Sequence, residues 1–469
     1  MPSKARNLLF FLSFVILIIA GLSQILSREG IEEEAEEGEE ASLASSSSSS
    51  SARLLATESI AAINRSDAVT LLSLRASLGI RSKYWPRKTD ACLVWKGITC
   101  SNDGYVISIT LTGLRRTAKG ALNPTFSVEP LQNLTRLISF NSSGFSLPGQ
   151  IPDWIGLSLS SLQILDLSSS SIISLIPSSM GNLSQLQKLS IAHNNLTGSI
   201  PSSLGNLTNL TSLDLSYNNL TGSIPASLGS VSSLKDLNLG FNSLSGSIPA
   251  SLGSLASLIS LTLSQNMLND VIPDALSNCI YLEILSLDQN AITGSIPAWL
   301  GTLPNITTLN LFSNNLTGSF PSGFAQAQNI SLSNNFLYGT IPFASENLSE
   351  IILLDLSNNY FEGSLPVPFV SGALLDDNCF TNVVNQRSLE TCQSFYAERG
   401  LTFQGATAAP SQSISVHDAI KKDHKVSIIL GTIFGGLGLL SLILLFVFCL
   451  RSRRRKRNKQ EQGEPVSVL

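Results

Sequence analysis

From residue 183 to residue 326 the chain repeats itself every 24 residues without a break. LTNLTSLDLSYNNLTGSIPASLGS, residues 207–230, is followed by VSSLKDLNLGFNSLSGSIPASLGS and then by LASLISLTLSQNMLNDVIPDALSN in the same frame. A unit this short cannot bury an apolar face alone, so copies must stack and cover one another's leucines. This excludes an ordinary globular core and dictates a solenoid. Leu213 and Leu215 alternate with Ser212, Asp214 and Ser216, the period of a strand with one face turned inward.

Two more positions recur for physical reasons. An inward asparagine returns as Asn194, Asn218, Asn242, Asn266, Asn290, Asn314, Asn335 and Asn359. Its amide has donors and an acceptor, so a ladder of them can satisfy backbone groups where the chain bends off each strand. Upstream the same slot is assigned to Ser170 and Ser143. Ten of the nineteen prolines fall in a G-x-I-P slot, from Pro152 to Pro366. Glycine permits an unusual backbone angle and proline cannot sit in a central sheet. The residues that follow, such as ASLGS, are expected to form a short helical turn on the convex side. With irregular copies at both ends, about eleven repeats span residues 106–370.

A solenoid exposes its core at both ends and needs covers. At the first, residues 66–79 fit a helix, with Ser66 as N-cap and Gly79 as stop. CLVWKGITC follows, and the first cap is set at 64–105. The second cap is set at 371–395, with Cys379 and Cys392. Six cysteines allow more than one pairing; proximity and cap position favour Cys92–Cys100 and Cys379–Cys392, with Cys279 reduced inside the stack.

Residues 1–27 read as a secretory signal, with Lys4 and Arg6 before an apolar run; an uncleaved anchor is the other reading, and both lead to the secretory route. Residues 28–63, rich in Glu and Ser, are expected to be disordered. After a stalk at 396–425 comes an uncharged apolar run, 426–450, long enough for a membrane span. Its Gly431 and Gly435 form G-x-x-x-G, a pattern that lets two helices approach closely. The basic tail 451–469 would then be cytoplasmic, and too short to bury a core of its own.

The repeat L-x-x-L-x-x-L-x-L-x-x-N-x-L-x-G-x-I-P closely resembles the ectodomain of plant leucine-rich repeat receptor-like kinases and receptor-like proteins. Trp95, Gly97 and Cys100 resemble that family's first cap, and the segment Cys379–Gln386–Arg387–Cys392 is similar to its second. The resemblance covers about residues 64–460. It implies an α/β-type leucine-rich repeat solenoid, with short parallel strands on the concave face and short helical turns on the convex face, plus a single transmembrane helix. It also implies a type I plasma-membrane receptor, sensing an extracellular peptide, microbial or wall-derived ligand and working with a membrane-bound receptor kinase. The kinase branch's own motifs are absent from these 469 residues: no phosphate-binding Gly-rich loop, V-A-I-K, H-R-D or D-F-G. Two other readings follow from that: a truncated receptor kinase acting as a decoy or without function, and a non-signalling, wall-associated binding or inhibitor protein.

No enzyme chemistry is apparent. The three histidines are His193, His417 and His424, which gives no metal set, and no nucleophile elbow or cofactor loop is present. No basic face with interleaved aromatics is apparent outside the tail, which argues against nucleic acid. The outward slot before the ladder asparagine holds His193, Tyr217 and Phe241 in consecutive repeats, with Phe312 one slot earlier in another; these are the candidate ligand contacts. Twelve N-x-S/T sequons are candidate glycosylation sites: Asn64, Asn133, Asn141, Asn182, Asn195, Asn206, Asn209, Asn219, Asn305, Asn315, Asn329 and Asn347. Asn209 and Asn329 are expected in outward strand slots, where a glycan would obstruct the concave face.

Overall fold

The computed structural model describes residues 62–117, 126–324, 326–342, 351–365 and 369–406. One twelve-stranded sheet runs along the solenoid. Its first strand, Ile98–Cys100, pairs antiparallel with Val106–Thr110, and every later pair is parallel. The register advances one repeat at a time, so that Leu165, Leu189, Leu213, Leu237, Leu261, Leu285 and Leu309 lie in one line. All of these leucines are buried, and with their neighbours they form one continuous core. Strands of three residues suffice because each contributes only one or two inward side chains and is paired on both sides.

The chain leaves each strand and enters a second, lateral set that the repeat pattern did not announce. Five short strands, from Ile173–Ser174 to Met267–Leu268, form one lateral sheet; four more, from Thr317–Gly318 to Cys379–Phe380, form another. Asn219–Gly222 is typical, and Gly222 ends it at φ 78°. Proline then starts a 3-10 turn on the convex side: Pro225 caps Ala226–Ser230, and Pro201 caps Ser202–Asn206. The glycines inside these turns set the repeat spacing. A Cβ on Gly229 would fall inside contact distance of the Ser251 carbonyl oxygen in the next repeat, and Gly205 meets Ser227 in the same way. Gly229→Ala is therefore expected to destabilise the protein by about 1–3 kcal/mol, since the repeats must part to admit one methyl group. A urea midpoint equal to wild type would remove this constraint.

The first cap differs from expectation at its start. The helix is Arg65–Leu78, and its N-cap is Asn64, whose side chain accepts from the Ser66 N–H; Ser66 lies two residues further in. Gly79 closes it with a left-handed φ of 62°. Cys92 is bonded to Cys100, and in the same cap buried Trp85 and Trp95 stack at 5.0 Å. At the other end Cys379 is bonded to Cys392. The second cap runs past residue 395: its helix is Leu389–Glu398, followed by a turn at Gln404–Ala406. Buried Tyr396 anchors it, accepting from the Gly339 N–H and donating to Tyr360 O, both at 2.9 Å. Burial pushes the Tyr396 hydroxyl well above the usual range. Cys279 is a free thiol, fully buried in the stack, and desolvation pushes it up to about 11.

Candidate ligand-contact site

At the corner where each concave strand turns toward the lateral sheet, one residue adopts a left-handed conformation. His193, Tyr217, Phe241, Gln265, Gln289, Ser313, Asn334 and Asn358 all have φ between 53° and 57°. That conformation costs a non-glycine residue roughly 1–2 kcal/mol, least for asparagine. The ladder holds it. Asn218 Oδ1 accepts from the Leu196 N–H at 3.0 Å, while Nδ2 donates to Ile191 O, Leu215 O and Ser216 O. On the strand side Asp214 Oδ1 accepts from both the N–H and the hydroxyl of Ser216, fixing the approach to Tyr217. The outward carboxylates Asp214 and Asp355 are thus engaged in their own turns.

Three rings occupy this strained slot side by side. His193 stacks on Tyr217 at 4.1 Å between centroids, and Tyr217 on Phe241 at 3.9 Å, both at 13° between planes. His193 and Tyr217 are exposed; Phe241 is half-buried. Beside them the concave strands offer Lys188, Asp236 and Asn238. The result is an apolar strip next to charged and amide groups, all on rigid elements, suited to a segment with ring or aliphatic anchors and backbone hydrogen-bonding groups.

Phe312 does not join the column. It stands three turns along, one position before Ser313, half-buried, with its N–H at 3.5 Å from Asn310 Oδ1. The ladder asparagines Asn194, Asn242, Asn266, Asn290, Asn314, Asn335 and Asn359 bond as Asn218 does. Asn378 is a further rung, accepting from the Phe361 N–H and donating to Leu356 O. Sequence reading missed it because the second cap breaks the 24-residue period. Upstream, the backbone ladder puts Gly144 level with Ser169, so Phe145, not Ser143, fills the slot. Ser142 instead occupies a core leucine position and pairs there with Ser170.

Among the sequons, Asn209 lies in the turn ahead of the strand Ser212–Asp214, off the concave face, with Nδ2 donating to Ser184 O. The strand begins three residues after Asn209, at Ser212, so the outward slot expected for Asn209 is not in the strand. Asn329 is in a concave strand. Asn195 and Asn219 are exposed in lateral strands, two residues beyond His193 and Tyr217, so they flank the ring column. Asn133, Asn182, Asn206 and Asn315 are exposed, Asn305 donates to Ile280 O, Asn141 accepts from the Ser143 N–H, and Asn64 is the helix cap. Asn347, the segment 426–450 with Gly431 and Gly435, and the tail lie outside the described residues. Among the described residues no helix is long and apolar enough to cross a membrane, and no group of three or more His, Cys, Asp or Glu could hold a metal ion.

A sequence profile of the leucine-rich repeat region matches residues 122–318. Residues 122–318 are thus a leucine-rich repeat region. Over 118 residues the chain is 54% identical to an Arabidopsis thaliana protein named a probable LRR receptor-like serine/threonine-protein kinase, a match covering 25% of this chain and 13% of that kinase. The ectodomain of the Arabidopsis receptor kinase HAESA, solved with an extended IDA peptide hormone, superposes with a TM-score of 0.59 at 31% identity, over 68% of this chain and 53% of that one. A plant ice-binding protein superposes at 0.54 and 28% identity, over 61% of this chain and 91% of its own. The chain thus spans about half of the HAESA ectodomain chain and a small part of the kinase it matches. Because the same solenoid serves a hormone receptor and an ice-binding protein, the fold alone does not select a function.

Proposed function

We propose that this leucine-rich repeat protein is the ligand-binding ectodomain of a plant cell-surface receptor, held by a single span at 426–450, and that it passes its signal to a membrane-bound receptor kinase. The observation that carries the reading is the ring column. Three aromatic residues in succession are kept in a conformation that glycine or asparagine would adopt more cheaply, and their faces stack along the rim of the concave sheet. The left-handed slot recurs along the scaffold, and these three consecutive repeats fill it with rings that stack, where other repeats carry Gln, Ser or Asn. A peptide is the favoured ligand class. The column gives anchor surface, the neighbouring strands give polar groups, and HAESA holds a peptide hormone on a solenoid of the same kind.

The receptor reading is tested on the full chain expressed in plant cells, with tags at residue 62 and at the C-terminus. The expected result is a tag at 62 accessible on intact cells, a protected C-terminal tag, and a co-purifying protein kinase activity. If the first tag is accessible but no kinase co-purifies even with a peptide ligand bound, the binding-only or decoy reading replaces it.

A further inference from the structure

Within the solenoid and its caps, positive charge is concentrated at the first cap. Residues 68–128 carry nine Lys or Arg against two Asp, whereas residues 129–365 carry three against thirteen Asp or Glu. The residues concerned are scattered between 75 and 116 and meet only when the first cap folds. Lys83 Nζ and Lys96 Nζ stand 5.5 and 5.8 Å from the centroid of the half-buried Tyr84 ring. The Lys96 N–H donates to Tyr84 O, and the Arg81 N–H to Arg115 O, which joins the three segments. Arg75 bonds Ser82 and lies near enough to Arg87 that burial first, and this like charge second, lower its proton affinity.

The frame under these cations is rigid. Trp85 Nε1 donates to Lys96 O and Trp95 Nε1 to Pro86 O, and the Cys92–Cys100 bond closes the same segment. Lys83, Arg87, Lys88, Lys96 and Arg115 are exposed, and among the described residues none of the five is in an ion pair. Like charges held together without counter-charges repel one another and raise the energy of the folded state, while favouring a multivalent anion.

We propose that this cap binds an acidic polysaccharide, a polymer of uronic acid residues, through Lys83, Arg87, Lys88, Lys96 and Arg115, with Tyr84 against the face of a sugar ring. Three observations favour this ligand over other polyanions. The disulfide-bonded caps belong to an oxidising compartment, where extracellular polysaccharides are met. The surface holds one aromatic ring between cations, not the succession of stacking rings that single-stranded nucleic acid uses. It also lies at the far end of the stack from the second cap, roughly 50 Å away at about 4.8 Å per strand, so it faces away from the chain's own proposed membrane.

The test compares binding of the full chain to de-esterified polygalacturonate, the same polymer methyl-esterified, a single-stranded oligonucleotide of equal charge, and vesicles containing phosphatidylserine. The variants are Lys83→Gln/Lys88→Gln/Lys96→Gln and, separately, Tyr84→Leu, each checked for an unchanged unfolding midpoint. Polygalacturonate should bind best. Its affinity should fall steeply between about 50 and about 200 mM salt, and by at least about tenfold in the triple variant. Tyr84→Leu should weaken polygalacturonate without changing the residual oligonucleotide binding. Equal binding by the triple variant, or oligonucleotide or vesicles bound as tightly as polygalacturonate, overturns the proposal.

Discussion

An Asn218→Ala, Asn242→Ala double variant is expected to lose roughly 3–6 kcal/mol of stability, because together the changes leave three buried backbone groups without partners. The groups are identifiable. The Leu196 and Leu220 N–H groups lose their acceptors, and Leu215 O loses both of its amide donors, whereas Ile191 O keeps Asn194 Nδ2. The two rungs are adjacent, so the losses need not add. In a solenoid each repeat depends on its neighbours alone, so the damage should be local first. Hydrogen exchange should show turns 191–244 opening before the rest. A control, Asn269→Ala, alters an exposed asparagine and should leave stability near wild type. A loss below about 1 kcal/mol in the double variant would mean that water replaces the ladder at little cost.

Removing the second cap's disulfide by Cys379→Ala, Cys392→Ala should cost about 2–4 kcal/mol. The bond ties the last lateral strand, Cys379–Phe380, to the helix Leu389–Glu398. That helix covers the apolar end of the stack. Tyr360 lies flat on Phe395 at 3.5 Å, with Arg387 over the outer face of Tyr360 and Arg399 over Phe395. Adding Tyr396→Phe removes the hydroxyl that satisfies the Gly339 N–H and Tyr360 O, and should bring the total to roughly 4–6 kcal/mol. The expected readout is binding of an apolar dye at the exposed end at denaturant concentrations where wild type binds none. A triple variant with wild-type dye binding and midpoint would show that the solenoid needs no cover there.

What the sequence revealed and what it hid have a common physical cause. The core and the ladder are periodic demands: every repeat needs Leu213 and Leu215 or their equivalents, and a rung, so alignment of the chain with itself exposes them. The lateral sheets are not. Asn219–Gly222 pairs through its backbone with Thr197 and Gly198 and shows solvent one buried leucine among polar residues, so no alternation marks it as a strand. Asn378 is hidden because the Asn359 to Asn378 step is shorter than the period. Asn64 replaced Ser66 as the helix cap because both are good caps, and their two-residue offset is decided by the tertiary bond from the Asn64 N–H to Gly104 O. Within the candidate site, the slot shared by His193, Tyr217 and Phe241 was legible; the stacking and the left-handed backbone were not. The charge excess of the first cap can be counted in the sequence, but its arrangement around Tyr84 cannot, since those residues meet only in the fold.

The account's central claim is that the ring column is a peptide-binding surface. The direct test is a display selection of random peptides on the full chain, followed by affinity measurement of the enriched sequences on wild type and on a Tyr217→Ala, Phe241→Ala variant shown to unfold at the wild-type midpoint. Enriched peptides should carry a ring or large aliphatic residue and should bind the variant more weakly by about 2–4 kcal/mol, a loss of at least tenfold. Peptides that bind the variant as tightly as wild type, or a selection that enriches none, would contradict the claim.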